Sequence, residues 1–231
     1  MAFGIFRSGQ GKGGNNFLAA LVRSALISSW LLLTFSASLS LCVLAVKRLR
    51  SREETLVRES RFRKPILYIF SGLPGSGKST LAQFVANQFD AVYLRVDTIE
   101  QALRDTCSID VTSEGYHLAY RIATDNLRLG LSVVADSCNP IELTRREWEQ
   151  TAREAESDYV NIEVICSDVG EHRARVETRA SEVSGLKLPT WNEVQSREYE
   201  DWTVDRVVVD TAGRSEAECA SELLSELLAL P

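Results

Sequence analysis

The sequence predicts an α/β fold in which a five-stranded, mostly parallel sheet carries helices on both faces. Two observations point there. Beyond residue 63, short apolar runs rich in β-branched and aromatic residues alternate with segments of helical period, the pattern of βαβ units. That stretch also lacks internal repeats and low-complexity tracts, so one ordinary domain accounts for it.

Each element has its own signal. The unbroken apolar run Ile66–Phe70 reads as the first strand, and a helix at Lys78–Gln88 follows it across a glycine-rich turn. Ala91–Val96 is the second strand. Asp97 and Glu100 then have the spacing of a capping box for a helix at Thr98–Arg104, and a longer helix at Ser113–Leu129 comes next. Leu131–Ala135 is the third strand. Asn139, Pro140 and Glu142 read as the cap, first-turn proline and returning carboxylate of a helix at Ile141–Ala155. Val160–Ile165 and Arg206–Val209 complete the sheet, with a helix at Val169–Ser184 between them. The last helix, Ser215–Leu228, opens on a Ser215–Glu218 capping box. It presents Ala220, Leu223, Leu224, Leu227 and Leu228 along one face.

In a sheet of this kind ligands bind at the carboxyl ends of the strands. Directly after the first strand comes Gly72-Leu73-Pro74-Gly75-Ser76-Gly77-Lys78-Ser79-Thr80, which opens a helix. Strand, glycine-rich loop and helix N-terminus are the context a P-loop requires, because inward-turned N–H groups and the helix dipole together hold phosphate. The domain is therefore expected to be a P-loop NTPase. Lys78 is expected on the β- and γ-phosphates, Ser79 on Mg²⁺ and Thr80 on the α-phosphate of ATP. Asp136, at the end of the third strand, has the place of the acid that holds Mg²⁺ with Ser79.

Two further groups point to phosphoryl transfer. Asp97 ends the second strand and faces the side where an accepting hydroxyl needs a base, although it could equally be only a helix cap. Arg175 and Arg179, four residues apart, share a helical face, and such a helix could close over the phosphates as a small lid. Arg173 lies beside them, and pairing of this helix with Glu171 and Glu177 would make it an ordinary solvated face. Asp210-Thr211-Ala212-Gly213 looks like a GTPase switch but stands too late in the chain, with no Asn-Lys-x-Asp after it. It reads as the loop that passes the adenine base.

Gly72–Ala82, Arg95-Val96-Asp97, Val133–Asn139 and the Arg175-x-x-x-Arg179 pair resemble the small P-loop kinases of bacteria. Gluconate kinase, chloramphenicol phosphotransferase and polynucleotide kinase are relatives by architecture, and the likeness spans roughly residues 64–225. The resemblance implies that Asp97 is an acceptor-site residue, often the base, and that Arg175 and Arg179 belong to the lid. It implies no particular acceptor. The function expected is transfer of the γ-phosphoryl group of ATP, with Mg²⁺, to a small hydroxylated acceptor. A membrane-tethered, nucleotide-gated module and a polynucleotide 5'-kinase are the alternatives.

Charge weighs on that choice. The chain has 231 residues with 26 Lys/Arg and 32 Asp/Glu, but residues 1–63 hold ten of the basic and three of the acidic ones. The remaining 16 basic and 29 acidic residues make the domain acidic, which disfavours extended contact with nucleic acid. The five cysteines are scattered, with no Cys-x-x-Cys and only His117 and His172 beside them, so they read as reduced thiols and not as a metal cluster.

Residues 1–63 form an extension to the P-loop kinase domain at 64–231. Residues 24–46 carry no charge, and Lys47, Arg48, Arg50 and Arg52 follow at once in a basic linker. That length suits a single transmembrane helix with the kinase domain on the cytoplasmic side. An over-extended translation start, which leaves a fully cytoplasmic enzyme, and a targeting peptide are the other readings.

Overall fold

A computed structural model of the protein describes residues 64–230. The candidate transmembrane helix at 24–46 and the basic linker lie outside the described residues. Among those described, no helix is long and apolar enough to cross a membrane.

Five strands form one sheet: β1 (Ile66–Ser71), β2 (Val92–Arg95), β3 (Val133–Asp136), β4 (Asp158–Ile165) and β5 (Val207–Asp210). Their order is β2-β3-β1-β4-β5. Every pairing is parallel, so the sheet is wholly and not mostly parallel. The helices are α1 (Lys78–Gln88), α2 (Val96–Cys107), α3 (Glu114–Arg128), α4 (Glu142–Glu154), α5 (Val169–Thr178), α6 (Trp191–Gln195) and α7 (Glu216–Ala229).

The central strand explains the two-layer core. Successive side chains of β1 point to opposite faces. Tyr68 and Phe70 pack with Leu81 and Val85 of α1 and Leu223 and Leu227 of α7. Leu67 and Ile69 pack on the other face with Ala123 and Leu127 of α3 and Trp148 and Ala152 of α4. A strand buried on both sides reads as an unbroken apolar run, which is why β1 is so plain in the sequence.

Several boundaries differ from expectation, and three of the differences have a local reason. The apolar run of β2 passes into α2 without a breaker, so Val96 and Asp97 are already helical and the N-cap is Arg95. The expected Asp97–Glu100 capping box is absent, and Glu100 instead pairs with Arg104 at 3.1 Å. Asn139 does not cap α4. Ile141 is the N-cap, with no side-chain bond, and the carboxylate of Glu200 accepts from the Glu142 N–H. Helix α5 stops at Thr178, six residues short of the predicted Ser184. The Ser215–Glu218 box forms as predicted, but Cys219 joins Ala220, Leu223 and Leu227 on the buried face of α7 while Leu228 is exposed.

Candidate active site

The phosphate loop joins β1 to α1 at the centre of the sheet. Gly72 has φ +141°, and a Cβ there would stand 2.2 Å from the Val164 carbonyl oxygen, so only glycine fits beside β4. At Gly75, with φ +88°, a Cβ would meet Val176 of α5 at 2.5 Å. The Ser76 N–H bonds back to Leu73 O and the Leu81 N–H to Gly77 O, which closes the turn and starts the helix. Between them the N–H groups of Gly77, Lys78, Ser79 and Thr80 have no acceptor among the described residues. Four unpaired donors at a helix N-terminus form a ready cradle for phosphate oxygens. The buried Ser76 hydroxyl is likewise without a partner.

Lys78 is largely buried. Its side chain is 11% exposed and its Nζ donates to Asp136 Oδ1 at 2.8 Å. Asp136 is the last residue of β3 and its side chain is 1% exposed. Tyr93 donates its hydroxyl to Asp136 Oδ2 at 2.7 Å, and Arg95 Nε stands 3.8 Å from the same oxygen. Burial pushes the Asp136 carboxyl up, but Lys78, with help from Tyr93 and Ser79, outweighs it and holds the group below the ordinary carboxylate range. Burial likewise pulls Lys78 down, and Asp136 reverses it to a net rise. Tyr93 and Arg95 were not anticipated. The only sequence signal for them is their place on the strand beside Asp136.

Around this pair opens a cleft of about 1000 Å³. Gly72, Leu73, Pro74, Gly75, Gly77, Lys78, Ser79 and Thr80 line it, while Ser76 is turned inward and buried. Asp97 also lines it, from the first turn of α2, exposed, with no ion pair among the described residues. The structure thus brings Lys78, Asp97, Arg175 and Arg179 to one cleft. Asp136 stands beneath it.

The two arginines differ in setting. Arg175, in the last turn of α5, is already occupied. It donates to the Thr211 hydroxyl at 2.7 Å, to Thr211 O at 3.0 Å and to Glu171 Oε1 at 2.5 Å. Arg179 is the first residue past the helix, with a buried Nε that has no hydrogen-bond partner among the described residues. Burial pulls its guanidinium below the ordinary value, with Asp97 opposing and Arg95 adding to the drop. Arg173 is exposed and paired with Glu177 at 2.9 Å, which is the solvated-face reading.

Helix α5 also touches the loop directly. His172 Nε2 lies 2.9 Å from Pro74 O, so the ring carries its proton there, and Trp191 of α6 meets the imidazole edge-on at 5.3 Å. The loop after β5 closes this end. Asp210 Oδ1 accepts from the N–H groups of Ser167 and Ala212 at 3.0 and 3.1 Å, and Glu171 accepts from the Gly213 N–H. Thr211, Arg214, Glu216 and Cys219 line the cleft beside it.

Asn139 serves the site in a way its neighbours in sequence do not suggest. It is fully buried with φ +46°. Its amide donates to Phe70 O and Ser71 Oγ, both at 3.1 Å, and its oxygen accepts from Ser137 and from the Trp148 indole. It thus pins the end of β1, where the phosphate loop begins, to the segment after Asp136. Much of the remaining cleft lining was also missed: Glu100, Gln101 and Arg104 of α2, residues 180–182 and 185–189, Glu193 and Arg197. Thr190 and Glu193 form a full capping box for α6, a spacing visible in the sequence.

The family model described as an AAA domain matches residues 67–198, more than half of the chain. Among curated proteins none matches the chain. Among solved structures, a protein from Chloroflexus aurantiacus j-10-fl is similar at TM-score 0.58 and 18% identity, over 73% of this chain and 100% of that one. The Mycobacterium tuberculosis APS kinase CysC, in complex with AMPPNP and APS, is similar at TM-score 0.55 and 19% identity, over 72% and 99%. A gluconokinase from Sinorhizobium meliloti 1021 is similar at TM-score 0.53 and 20% identity, over 72% and 93%. With the phosphate loop, its buried carboxylate and the parallel sheet in place, the chain belongs to the AAA domain family and has the fold of the small P-loop kinases.

Proposed function

We propose that the protein transfers the γ-phosphoryl group of ATP to the hydroxyl of a small acceptor. The observation that carries this reading is a single cleft lined both by the phosphate cradle and by Asp97, a carboxylate with no ion pair among the described residues. The similar APS kinase and gluconokinase support the class of reaction.

The donor set suits Mg²⁺, which takes oxygen ligands. The Ser79 hydroxyl and the Asp136 carboxylate lie at the same end of the loop, where Ser79 helps hold Asp136 ionised. Bound there, Mg²⁺ would neutralise charge on the β- and γ-phosphates. The chain's own residues do the rest. The free N–H groups of Gly77 to Thr80 bind phosphate oxygens, and Lys78 leaves Asp136 for the incoming anion. Asp97 takes the proton from the acceptor hydroxyl. Arg175 helps hold the bound phosphates, and Arg179 stabilises the charge that develops in transfer. The loop at Asp210–Gly213 borders the base.

Lys78→Ala should abolish tight binding of Mg-ATP by calorimetry and leave a folded protein by circular dichroism. It also strips Asp136 of its cation, so a lowered melting temperature is expected with it. Equal ATP affinity in variant and wild type would overturn the reading.

A further inference from the structure

The phosphotransferase reading leaves the acceptor unnamed, and the charges lining the cleft narrow it. Half of the sixteen basic residues beyond position 63 line this one cleft, against five of the twenty-nine acidic ones. The cleft is a cationic hollow in an acidic domain. The proposed reaction assigns Lys78, Arg175 and Arg179 to the nucleotide. Of the other charges, most are already matched. Arg95 pairs with Glu182 at 2.8 Å, Arg104 with Glu100 at 3.1 Å and Arg214 with Glu222 at 2.5 Å. The Glu193 carboxylate is bound to the Thr190 N–H and hydroxyl at 2.7 and 2.8 Å.

Two cations remain. Lys187 and Arg197 line the cleft, are exposed, and pair with no carboxylate among the described residues. They come from opposite ends of α6 yet act on the same place. After the Thr190 bonds, both contribute to holding Glu193 below its ordinary value, and Arg197 also bears on Cys138 beside the phosphate loop. A concave cleft with two cations that lack a carboxylate partner among the described residues, beyond those of the phosphate cradle, calls for a second anion.

Resting on the phosphotransferase reading, we propose that the acceptor is a small alcohol bearing a carboxylate or phosphate, held by Lys187 and Arg197 so that its hydroxyl reaches Asp97. The cleft is at the upper end of ligand-pocket volumes, about 300–1,000 Å³, so it has room for a nucleotide and one small molecule. Outside it, the 24 acidic residues beyond position 63 outnumber the eight basic ones, and an extended polyanion finds no track.

Matched pairs test this on the full chain saturated with AMPPNP and Mg²⁺: ribose 5-phosphate against ribose, and glycerate against glycerol, each titrated by calorimetry. In a parallel arm, ADP release from ATP is followed with the same compounds. The anionic member of a pair should bind at least about tenfold more tightly. Lys187→Ala and Arg197→Ala should each erase most of that preference, Lys187→Arg should keep it, and AMPPNP affinity should stay within about twofold. Equal or absent binding of both members, or variants that keep the preference, would overturn the anionic acceptor and leave the kinase reading to its own test. Anion-selective binding without phosphoryl transfer would keep the anion subsite and remove the kinase reading. Faster phosphorylation of a single-stranded oligonucleotide than of any small anion would overturn the proposal in favour of a nucleic-acid acceptor.

Discussion

Replacing the Asp97 carboxylate with an amide should separate chemistry from scaffolding. The structure removes the capping role, since Arg95 is the N-cap and Asp97 makes no cap bond. What remains of a structural part is a carboxylate in the first turn of α2, worth about 0.3–1 kcal/mol through the helix dipole. Asp97→Asn should therefore lower phosphoryl transfer by about 10²-fold or more, with ATP affinity nearly unchanged. A small melting shift with full turnover would return Asp97 to scaffolding. Among single residues, legibility in the sequence followed contiguity. Gly72 to Thr80 form one unbroken run whose spacing implies their shared task, and Asp136 stands at a strand end. Asn139 was misread because its partners, Phe70, Ser71 and Trp148, are distant in the chain or hidden in the core. A local pattern of Asn, Pro and Glu pointed to a cap instead.

The loop after β5 is held by one carboxylate, and its titration is open to measurement. Hydrogen bonds from Ser167 hold Asp210 below its ordinary value of 3.8, with burial opposing and Ala212 and Arg214 helping. A depressed folded-state pKa means the stabilisation is present above the unfolded value and is lost as pH falls through the folded one. Asp210→Asn should thus melt below wild type at pH 7, with the gap closing as pH falls below the ordinary carboxylate value of 3.8. A gap that is constant from pH 7 to pH 2 would assign the loss to shape and not to charge. At the level of elements, all five strands were legible from β-branched and aromatic residues, in runs or, in β4, alternating with Asn161 and Glu163. Helix ends were less so. Val96 is apolar enough to extend β2 on paper, yet the backbone has already turned into α2. Residues 179–190 lack helical backbone, although their composition continues that of α5. Helix α6 is five residues long, too short for periodicity to register, and only its capping box advertises it.

The sheet places β1 at the middle of five strands, so the phosphate loop is anchored by core on both faces. The whole-molecule architecture was the most legible level, since alternation of strand and helix survives errors at every boundary. The cleft lining beyond the phosphate loop was the least, because it is assembled from α2, an irregular segment and α6, which nothing in the sequence associates. His172 ties the base of α5 to Pro74, and Val176 fills the space over Gly75, so this helix is fastened to the phosphate loop. A closing movement of the segment beyond it would turn past Val176, where the backbone leaves the helix at Arg179 with φ −66° and ψ 145°. Arg175 is already set by Thr211 and Glu171, whereas such a movement would carry Arg179 with the segment that holds Lys187. The pair divides its work into an early and a late partner. Arg175→Ala should chiefly weaken ATP binding and Arg179→Ala should chiefly slow the catalytic step, a contrast that separate measurement of Kd and single-turnover rate will reveal. Identical profiles for the two variants would mean that the helix and the segment beyond it move as one piece.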